Sequence, residues 1–219
     1  MKKFQTAISI LIMFITNISI ASAVEKKQWL PFYNSPEFTP HWLTPNSAQA
    51  NQFHQVSDFK FMNQDGDFVS NETVENKIYV ASFFFTSCPG ICPKMRSQLA
   101  KVQEIYKDDD NVIIISHSIQ PSNDTVEVLS HYAKKNDVLS GKWHLVTGKR
   151  EDIYKIAKKG YFASEDLGKF VDDEDFLHTE NLVLVDTNKH IRGIYNGLNN
   201  RSVSHLIEDI KQLEKENIQ

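Results

Sequence analysis

The sequence has few cysteines and no concentration of positive charge, and both shortages limit what the protein can be. Only two of its 219 residues are cysteines, Cys88 and Cys92, which excludes a small fold held together by several disulfides. Lys and Arg number 24 against 28 Asp and Glu, a formal charge of −4, and no dense basic run occurs. Binding to nucleic acid phosphates or to anionic membranes usually depends on such a run. We therefore expect neither as a partner.

The sequence also lacks an apolar run long enough to cross a bilayer. Residues 7–20 are uncharged and mostly apolar, but this run is shorter than the ~20 residues that a spanning helix needs. Two lysines precede it, and the small-x-small sequence ASA follows at residues 21–23, which is the pattern of a signal peptide. We predict a signal peptide at residues 1–23, cleaved before Val24, and a protein exported to the periplasm or to the outer face of the inner membrane. Retention of the segment as an uncleaved anchor is the alternative.

The composition of the remaining chain predicts one domain with an extension at its N-terminal side. Hydrophobic residues make up 41% and charged residues 24%, which suits a globular domain with a sizeable core. Residues 29–46 contain four of the seven prolines and several aromatics, which favours an extended segment over a helix. We predict an extended, Pro- and aromatic-rich segment at residues 24–52 and a folded domain at residues 53–219.

Strand patterns dominate the first part of this domain and recur along it. Phe59 and Phe61 alternate with polar residues, and Asp65-Gly66 is a hairpin signal before Phe68. Continuous apolar runs predict strands that are covered on both faces. The further predicted strands are residues 78–85, 112–118, 143–147, 182–185 and 191–195.

Helix patterns lie between these strands. A helix after Pro93 places apolar residues at helical spacing, and Asp124 is predicted as the N-cap of a helix that runs to about Lys135. Two more helices are predicted at residues 151–158 and, with an apolar face from Val203 to Leu213, at the C-terminus. The order of elements predicts a thioredoxin-like α/β fold, with a central mixed β-sheet flanked by helices and an N-terminal β-hairpin.

The two cysteines carry the most distinctive chemistry in the sequence. Cys88 and Cys92 lie where a buried strand ends and a helix begins, and Pro93 suits the first turn of that helix. Free N–H groups and the dipole at a helix start favour thiolate over thiol. Three intervening residues allow the two sulfurs to bind one metal ion or to form a disulfide. A purely structural disulfide is less favoured, because closing so short a loop stabilises by only ~2 kcal/mol in the chain-entropy model.

Together with other motifs, this cysteine pair resembles the Sco/SenC family of copper-binding proteins that assemble the copper centre of cytochrome c oxidase. The resemblance consists of the CxxxCP pattern of Cys88 and Cys92 after a Phe-rich strand, His-Thr at residues 178–179 before a strand, and the turn PSNDT at residues 121–125. It covers residues 59–219. Each element alone is weak, but their ordered combination is specific.

The resemblance implies a copper site and a role in copper delivery. By residue, Cys88 and Cys92 match the family's thiolate ligands and His178 matches its imidazole ligand. Thiolates suit Cu(I), and an added imidazole allows the same site to hold Cu(II). The implied function is that of a monomeric metallochaperone for Cu(I) and Cu(II), without enzymatic turnover. Its expected partners are the copper-bearing subunit of cytochrome c oxidase and a copper donor protein.

Other functions of the cysteine pair stay open at this point. A thiol-disulfide reductase that keeps the oxidase cysteines reduced would use the same two residues as its redox pair. Thioredoxin-type enzymes place a proline before the hairpin strand, whereas the last proline here is Pro121 and His178 occupies that region. A peroxiredoxin is disfavoured because no proline precedes Thr86 and Ser87 in the approach to Cys88. A structural binding module would show neither copper binding nor redox chemistry.

Several further residues are candidates for a role at the site. His117 lies on a strand that should end near the cysteines, and a packed core histidine is favoured over a supporting role at the metal. Met95 belongs to the apolar stripe of its helix and is predicted to be core. The predicted strands at residues 182–185 and 191–195 form a hairpin, and His190 is predicted to be exposed in its loop. The acidic run Asp172 to Asp175 is expected to be a solvated loop, with attraction of copper or of a basic partner as a secondary hypothesis.

Overall fold

The computed structural model describes residues 29–163 and 179–216, in which a mixed seven-stranded sheet is flanked by helices. The strands are β1 (Lys60–Asn63), β2 (Phe68–Ser70), β3 (Ile78–Phe84), β4 (Val112–Ser118), β5 (Trp143–Thr147), β6 (Asn181–Val185) and β7 (Ile191–Asn196). The helices are α1 (Ala48–Asn51), α2 (Asn71–Val74), α3 (Cys92–Tyr106), α4 (Val126–Lys135), α5 (Arg150–Lys155) and α6 (Asn200–Glu216). Within the described ranges, no helix is sufficiently long and apolar to cross a membrane. The predicted thioredoxin-like α/β fold and its N-terminal hairpin, β1 with β2, are confirmed.

The centre of the sheet is formed by the parallel strands β3, β4 and β5. The strand order is β2-β1-β5-β4-β3-β6-β7, and every residue of these three central strands is buried. Their apolar residues have no solvent-facing side because helices cover one face and an aromatic core covers the other. Val80 and Ile114 face the layer of α3, α4 and α6, whereas Ala81 and Ile115 face a core that includes Ile153 of α5.

The N-terminal segment packs against β7, the last strand of the sheet. Tyr33 forms a single antiparallel bridge with Ile191, and Phe32 pairs with His41 to fold the segment back on itself. The extended residues around Tyr33 therefore pair with part of a strand edge that would otherwise expose unpaired backbone groups. Residues 29–46 contain no helix, and α1 (Ala48–Asn51) follows them, inside the range predicted to be extended.

A buried arginine joins this segment to the rest of the domain. The Arg192 guanidinium lies 2.9 Å from the Asp186 carboxylate and 2.7 Å from the Glu216 carboxylate, and all three side chains are buried. It also donates hydrogen bonds to the backbone carbonyls of Leu30 and Pro31, at 2.8 and 3.1 Å. Leu30 in turn donates its backbone N–H to Glu216. One buried cluster of ion pairs and hydrogen bonds thus joins the N-terminal segment, the β6-β7 hairpin and the end of α6.

One helix start differs from its prediction. Thr125, not Asp124, is the N-cap of α4, and its side chain accepts a hydrogen bond from the Val128 N–H. Asp124 is fully buried and turns away from the helix. A local preference for Asp at N-caps predicted the wrong residue because Thr125 can also cap the helix and leaves the carboxylate for longer-range partners. Helix α2 was not predicted, and α5 continues into a π-helical turn to Gly160.

The buried histidines confirm one prediction and overturn another. His117 is fully buried among the rings of Phe59, Phe61, Phe83 and Tyr161, on the sheet face away from α3. It is therefore a core residue, as predicted. The Nδ1 atom lies 3.3 Å from a backbone carbonyl, and the Nε2 atom makes no hydrogen bond within the described residues.

The prediction that His190 is exposed is wrong, because only 2% of this residue is accessible. Its Nδ1 atom lies 2.9 Å from the His54 carbonyl, and the Phe32 ring packs against it edge-on at a centroid distance of 5.3 Å. The hairpin loop is covered by the N-terminal segment, a tertiary contact that the loop pattern alone does not reveal.

The environment of His117 predicts a loss of stability in acid. Burial lowers its pKa to about 4, an effect that its contact with the Ser82 carbonyl opposes. At pH values between about 4 and the ordinary histidine pKa of 6.5, His117 binds a proton in the unfolded chain but not in the folded protein. The free energy of unfolding should therefore fall with decreasing pH, by as much as about 3 kcal/mol below pH 4. In His117→Phe this part of the dependence should disappear, as measured by urea unfolding across that pH range.

The exposed His131 provides the matched control, since His131→Gln should leave the pH dependence of unfolding unchanged. A His117→Phe protein that loses stability between pH 6.5 and 4 as steeply as the parent would contradict this explanation.

Candidate metal centre

The loop that carries the two cysteines connects the end of β3 to the start of α3. Cys92 is the first residue of α3, and the residue before it, Ile91, has no side chain able to cap the helix. The Cys88 sulfur lies close to this helix start, where the backbone N–H groups of Gly90, Ile91 and Cys92 help to lower its pKa. Free N–H groups at a helix start need an acceptor, and a sulfur placed near them loses its proton more readily.

Both cysteines are free, and their side chains are close enough to influence each other's pKa. Cys92 donates its S–H to the Cys88 sulfur and accepts the Phe85 N–H. Burial raises the pKa of the Cys88 thiol, but the hydrogen bonds from Cys92 and from the helix start outweigh it, so the pKa is lowered. Burial raises the pKa of Cys92, and its hydrogen bond and charge repulsion with Cys88 raise it further. Cys88, which is half-buried, is therefore the more acidic of the two thiols, and the buried Cys92 is the less acidic one.

A buried carboxylate holds the start of the cysteine loop. Asp124 accepts hydrogen bonds from the Thr86 hydroxyl at 2.5 Å, the Thr86 N–H at 3.2 Å and the Ser118 hydroxyl at 2.6 Å. Thr86 lies two residues before Cys88, and Ser118 is the last residue of β4. Asp124 thus attaches the cysteine loop to the neighbouring strand through uncharged donors.

Beneath Cys92 lies a small cavity with hydroxyl groups in its wall. The Trp143 indole N–H donates to the Ser116 hydroxyl at 2.9 Å, which is 2.7 Å from the Ser82 hydroxyl. These three residues line a cavity of about 20 Å³ together with Cys92 and Met95. Met95 is buried in the core of α3, as predicted. The space is sufficient for about one water molecule and too small for an organic ligand.

The third predicted ligand, His178, lies outside the described residues, as does the acidic run Asp172 to Asp175. Thr179, the next residue in the chain, is described and is buried just before β6. Strand β6 pairs antiparallel with β3, with Val183 opposite Ala81, so β6 begins at the edge of the sheet where β3 ends. Among the residues that the structure describes, no group of three His, Cys, Asp or Glu side chains could hold a metal ion.

The sequence identified the sulfur atoms but not the residues that hold their loop. Thr86, Ser118 and Asp124 meet through contacts between residues up to 38 positions apart. Only Asp124 had been singled out, as a helix cap. A buried carboxylate with three donors has no signature in a single sequence, because its donors come from ordinary Ser and Thr residues.

Known proteins share this fold and the region that contains the cysteine loop. A family model described as SCO1/SenC matches residues 47–215. The SCO1 protein homolog of Bacillus subtilis (strain 168) is 31% identical over 160 residues, which cover 72% of this chain and 82% of that protein.

Two solved structures are similar along most of their length. BsSco, described as a member of the Sco family of cytochrome c oxidase assembly proteins with a disulfide switch, has a TM-score of 0.63 and 29% identity. This similarity covers 76% of the present chain and 95% of BsSco. ScoI of Arabidopsis thaliana, crystallised with copper bound, has a TM-score of 0.58 and 25% identity, covering 73% of this chain and 98% of ScoI.

The unequal environments of the two sulfurs predict unequal reactivity. Because the Cys88 pKa is lowered and its side chain is more exposed, limiting iodoacetamide at pH 7 should alkylate Cys88 roughly tenfold faster than Cys92. Peptide mass spectrometry of the reduced protein measures the two rates. Cys92→Ala removes the S–H donor and should slow alkylation of Cys88 without abolishing it. Equal rates at the two cysteines in the parent protein would show that the sulfurs are equivalent.

Proposed function

Because this chain belongs to the SCO1/SenC family, we propose that it binds one copper ion through Cys88, Cys92 and His178 and delivers it to the copper centre of cytochrome c oxidase. The observation that carries this proposal is the contact between the two sulfurs at the start of α3. Copper bound in Arabidopsis ScoI and the assembly role named for BsSco support it. Copper is the cargo of this function, and no substrate turnover is proposed.

The donor set suits a metal ion that changes its oxidation state. The Cys88 thiolate and a deprotonated Cys92 are soft ligands that favour Cu(I), and the imidazole of His178 would supply the nitrogen that Cu(II) prefers. Binding of copper would displace the S–H proton of Cys92, since only thiolates are ligands. The half-exposed Cys88 leaves the site open toward solvent, as ligand exchange with a partner requires.

The position of His178 in the chain supports its assignment as the third ligand. In the sequence it directly precedes Thr179, which comes just before β6. Strand β6 begins at the end of the sheet where β3 ends and the cysteine loop starts. The acidic run Asp172 to Asp175 is a few residues upstream; a solvated loop is the favoured interpretation of this run, and attraction of copper or of a basic partner stays a secondary hypothesis.

A thiol-disulfide reductase is the second candidate function. It is favoured by the hydrogen bond from Cys92 to the Cys88 sulfur, because a thiolate beside a reserve thiol is also the arrangement that exchanges disulfides. The partner would again be the oxidase subunit, whose cysteines would be kept reduced. The two functions differ in their need for His178, since disulfide exchange gains nothing essential from an imidazole.

We also propose export with cleavage before Val24, which places the domain where thiols can be oxidised. Intact-mass measurement of the protein recovered from the periplasm should give a chain that begins at Val24. Recovery of a chain that still carries residues 1–23 would replace this proposal with a membrane-anchored form.

The copper proposal predicts different losses for the three ligands. The reduced protein should bind about one equivalent of copper, and its Cu(II) form should show an intense sulfur-to-copper absorption. Cys88→Ser and Cys92→Ser should each abolish that absorption. His178→Ala should retain an oxidisable dithiol and some Cu(I) affinity but lose most Cu(II) affinity, because two-coordinate thiolate binding satisfies Cu(I) alone. Metal analysis, absorption spectra and chelator competition measure these quantities.

The exposed His131 again offers a matched control, since His131→Ala should bind both oxidation states like the parent. In cells, His178→Ala should fail to restore oxidase activity to a deletion strain. If it restores full activity while Cys88→Ser does not, the reductase function replaces copper delivery.

A further inference from the structure

The carboxylate of Asp124 is a buried negative charge next to the cysteine loop. The residue is fully inaccessible, and its donors are two hydroxyls and one amide, none of which carries a charge. All three groups donate, and an ionised carboxylate accepts hydrogen bonds without donating any. Such donors stabilise the charge locally but do not cancel its field at longer range.

This charge is close enough to act on the sulfurs. Asp124 contacts Thr86 directly, and two residues of extended chain span at most ~7 Å, so the Cys88 backbone lies within about 10 Å of the carboxylate and its sulfur within about 14 Å. The Tyr132 phenol is in reach of all these groups. Burial is the largest cause that raises the pKa of this phenol, and the charge of Arg96 lowers it. Cys92, Cys88 and Asp124 each raise it further, so both sulfurs and the carboxylate are close enough to act electrostatically on one phenol.

We propose that Asp124 is a positioning residue whose charge also biases the copper site toward Cu(II) over Cu(I). This inference rests on the proposed function. Two thiolates and one imidazole give a neutral complex with Cu(II) and a complex of charge −1 with Cu(I). A fixed negative charge nearby penalises the second complex more than the first, so it raises the affinity for Cu(II) relative to that for Cu(I).

The magnitude follows from the distance. For one unit of charge difference at about 10 Å in a partly buried site, the ratio of the Cu(II) and Cu(I) dissociation constants should change by roughly tenfold. A role limited to holding the loop would act differently, because a misplaced Cys88 weakens binding of both oxidation states and leaves their ratio unchanged.

The test compares a variant that removes the charge with two variants that retain it. In Asp124→Asn the amide oxygen can accept from the Thr86 N–H and the Ser118 hydroxyl, which share one carboxylate oxygen in the parent, and the amide nitrogen can donate to the Thr86 hydroxyl oxygen, so the loop attachment is kept. Thr86→Val and Ser118→Ala each remove one hydrogen bond at the carboxylate and keep its charge. Should the amide at position 124 clash with the Ser118 hydroxyl, Asp124→Asn combined with Ser118→Ala relieves that contact.

Dissociation constants for Cu(I) and Cu(II), each from competition with a chelator of known affinity, are the readout. We expect the charge-removing variant to shift the ratio about tenfold in favour of Cu(I), and both charge-retaining variants to leave it at the parent value while lowering the melting temperature. An unchanged ratio in the charge-removing variants, or an equal shift in all variants, would overturn the inference. If the parent protein binds no copper, the proposed function itself fails, and that result is distinct from an unchanged ratio.

Discussion

The arrangement of the site depends on the unpaired N–H groups at the start of α3. A helix leaves its first N–H groups without partners, and Ile91 at the cap position offers no side-chain acceptor. The Cys88 sulfur lies near them, and the Cys92 thiol together with the backbone N–H groups of Gly90, Ile91 and Cys92 lowers its pKa. The strand that delivers the loop, β3, is rigid because it is buried on both faces and paired on both sides.

The elements that could be predicted from the sequence are those fixed by burial along a continuous stretch. Strands β4 and β5 match their predicted ranges residue for residue, because short runs rich in β-branched and aromatic residues are typical of strands that are covered on both faces. The cysteine pair was also recognisable, since its chemistry depends on spacing and on a local strand-to-helix junction. These features need no information from distant parts of the chain.

The features that escaped prediction depend on contacts between distant segments. Asp124 has the local preference of a helix cap, yet Thr86, 38 positions away, binds its carboxylate in the folded protein. His190 has the sequence context of an exposed loop, yet Phe32 and the His54 carbonyl cover it. In both cases the polar residue is hydrogen bonded to a residue far away in the sequence, which the residues next to it in the sequence do not indicate. The prediction for His178 depends on the family resemblance in the same way, and it stays a prediction.

The buried cluster around Arg192 determines where any preceding chain is tethered. It fixes Leu30 beside Glu216 at the last turn of α6, whereas the first turn of that helix lies against α3 through the contact of Asn200 with Gln98. A 17-residue helix spans about 25 Å, so the point of entry and the cysteine loop lie near opposite poles of the domain. A chain held at its N-terminal end would therefore present the sulfurs outward, away from its point of attachment, with the domain itself as the spacer.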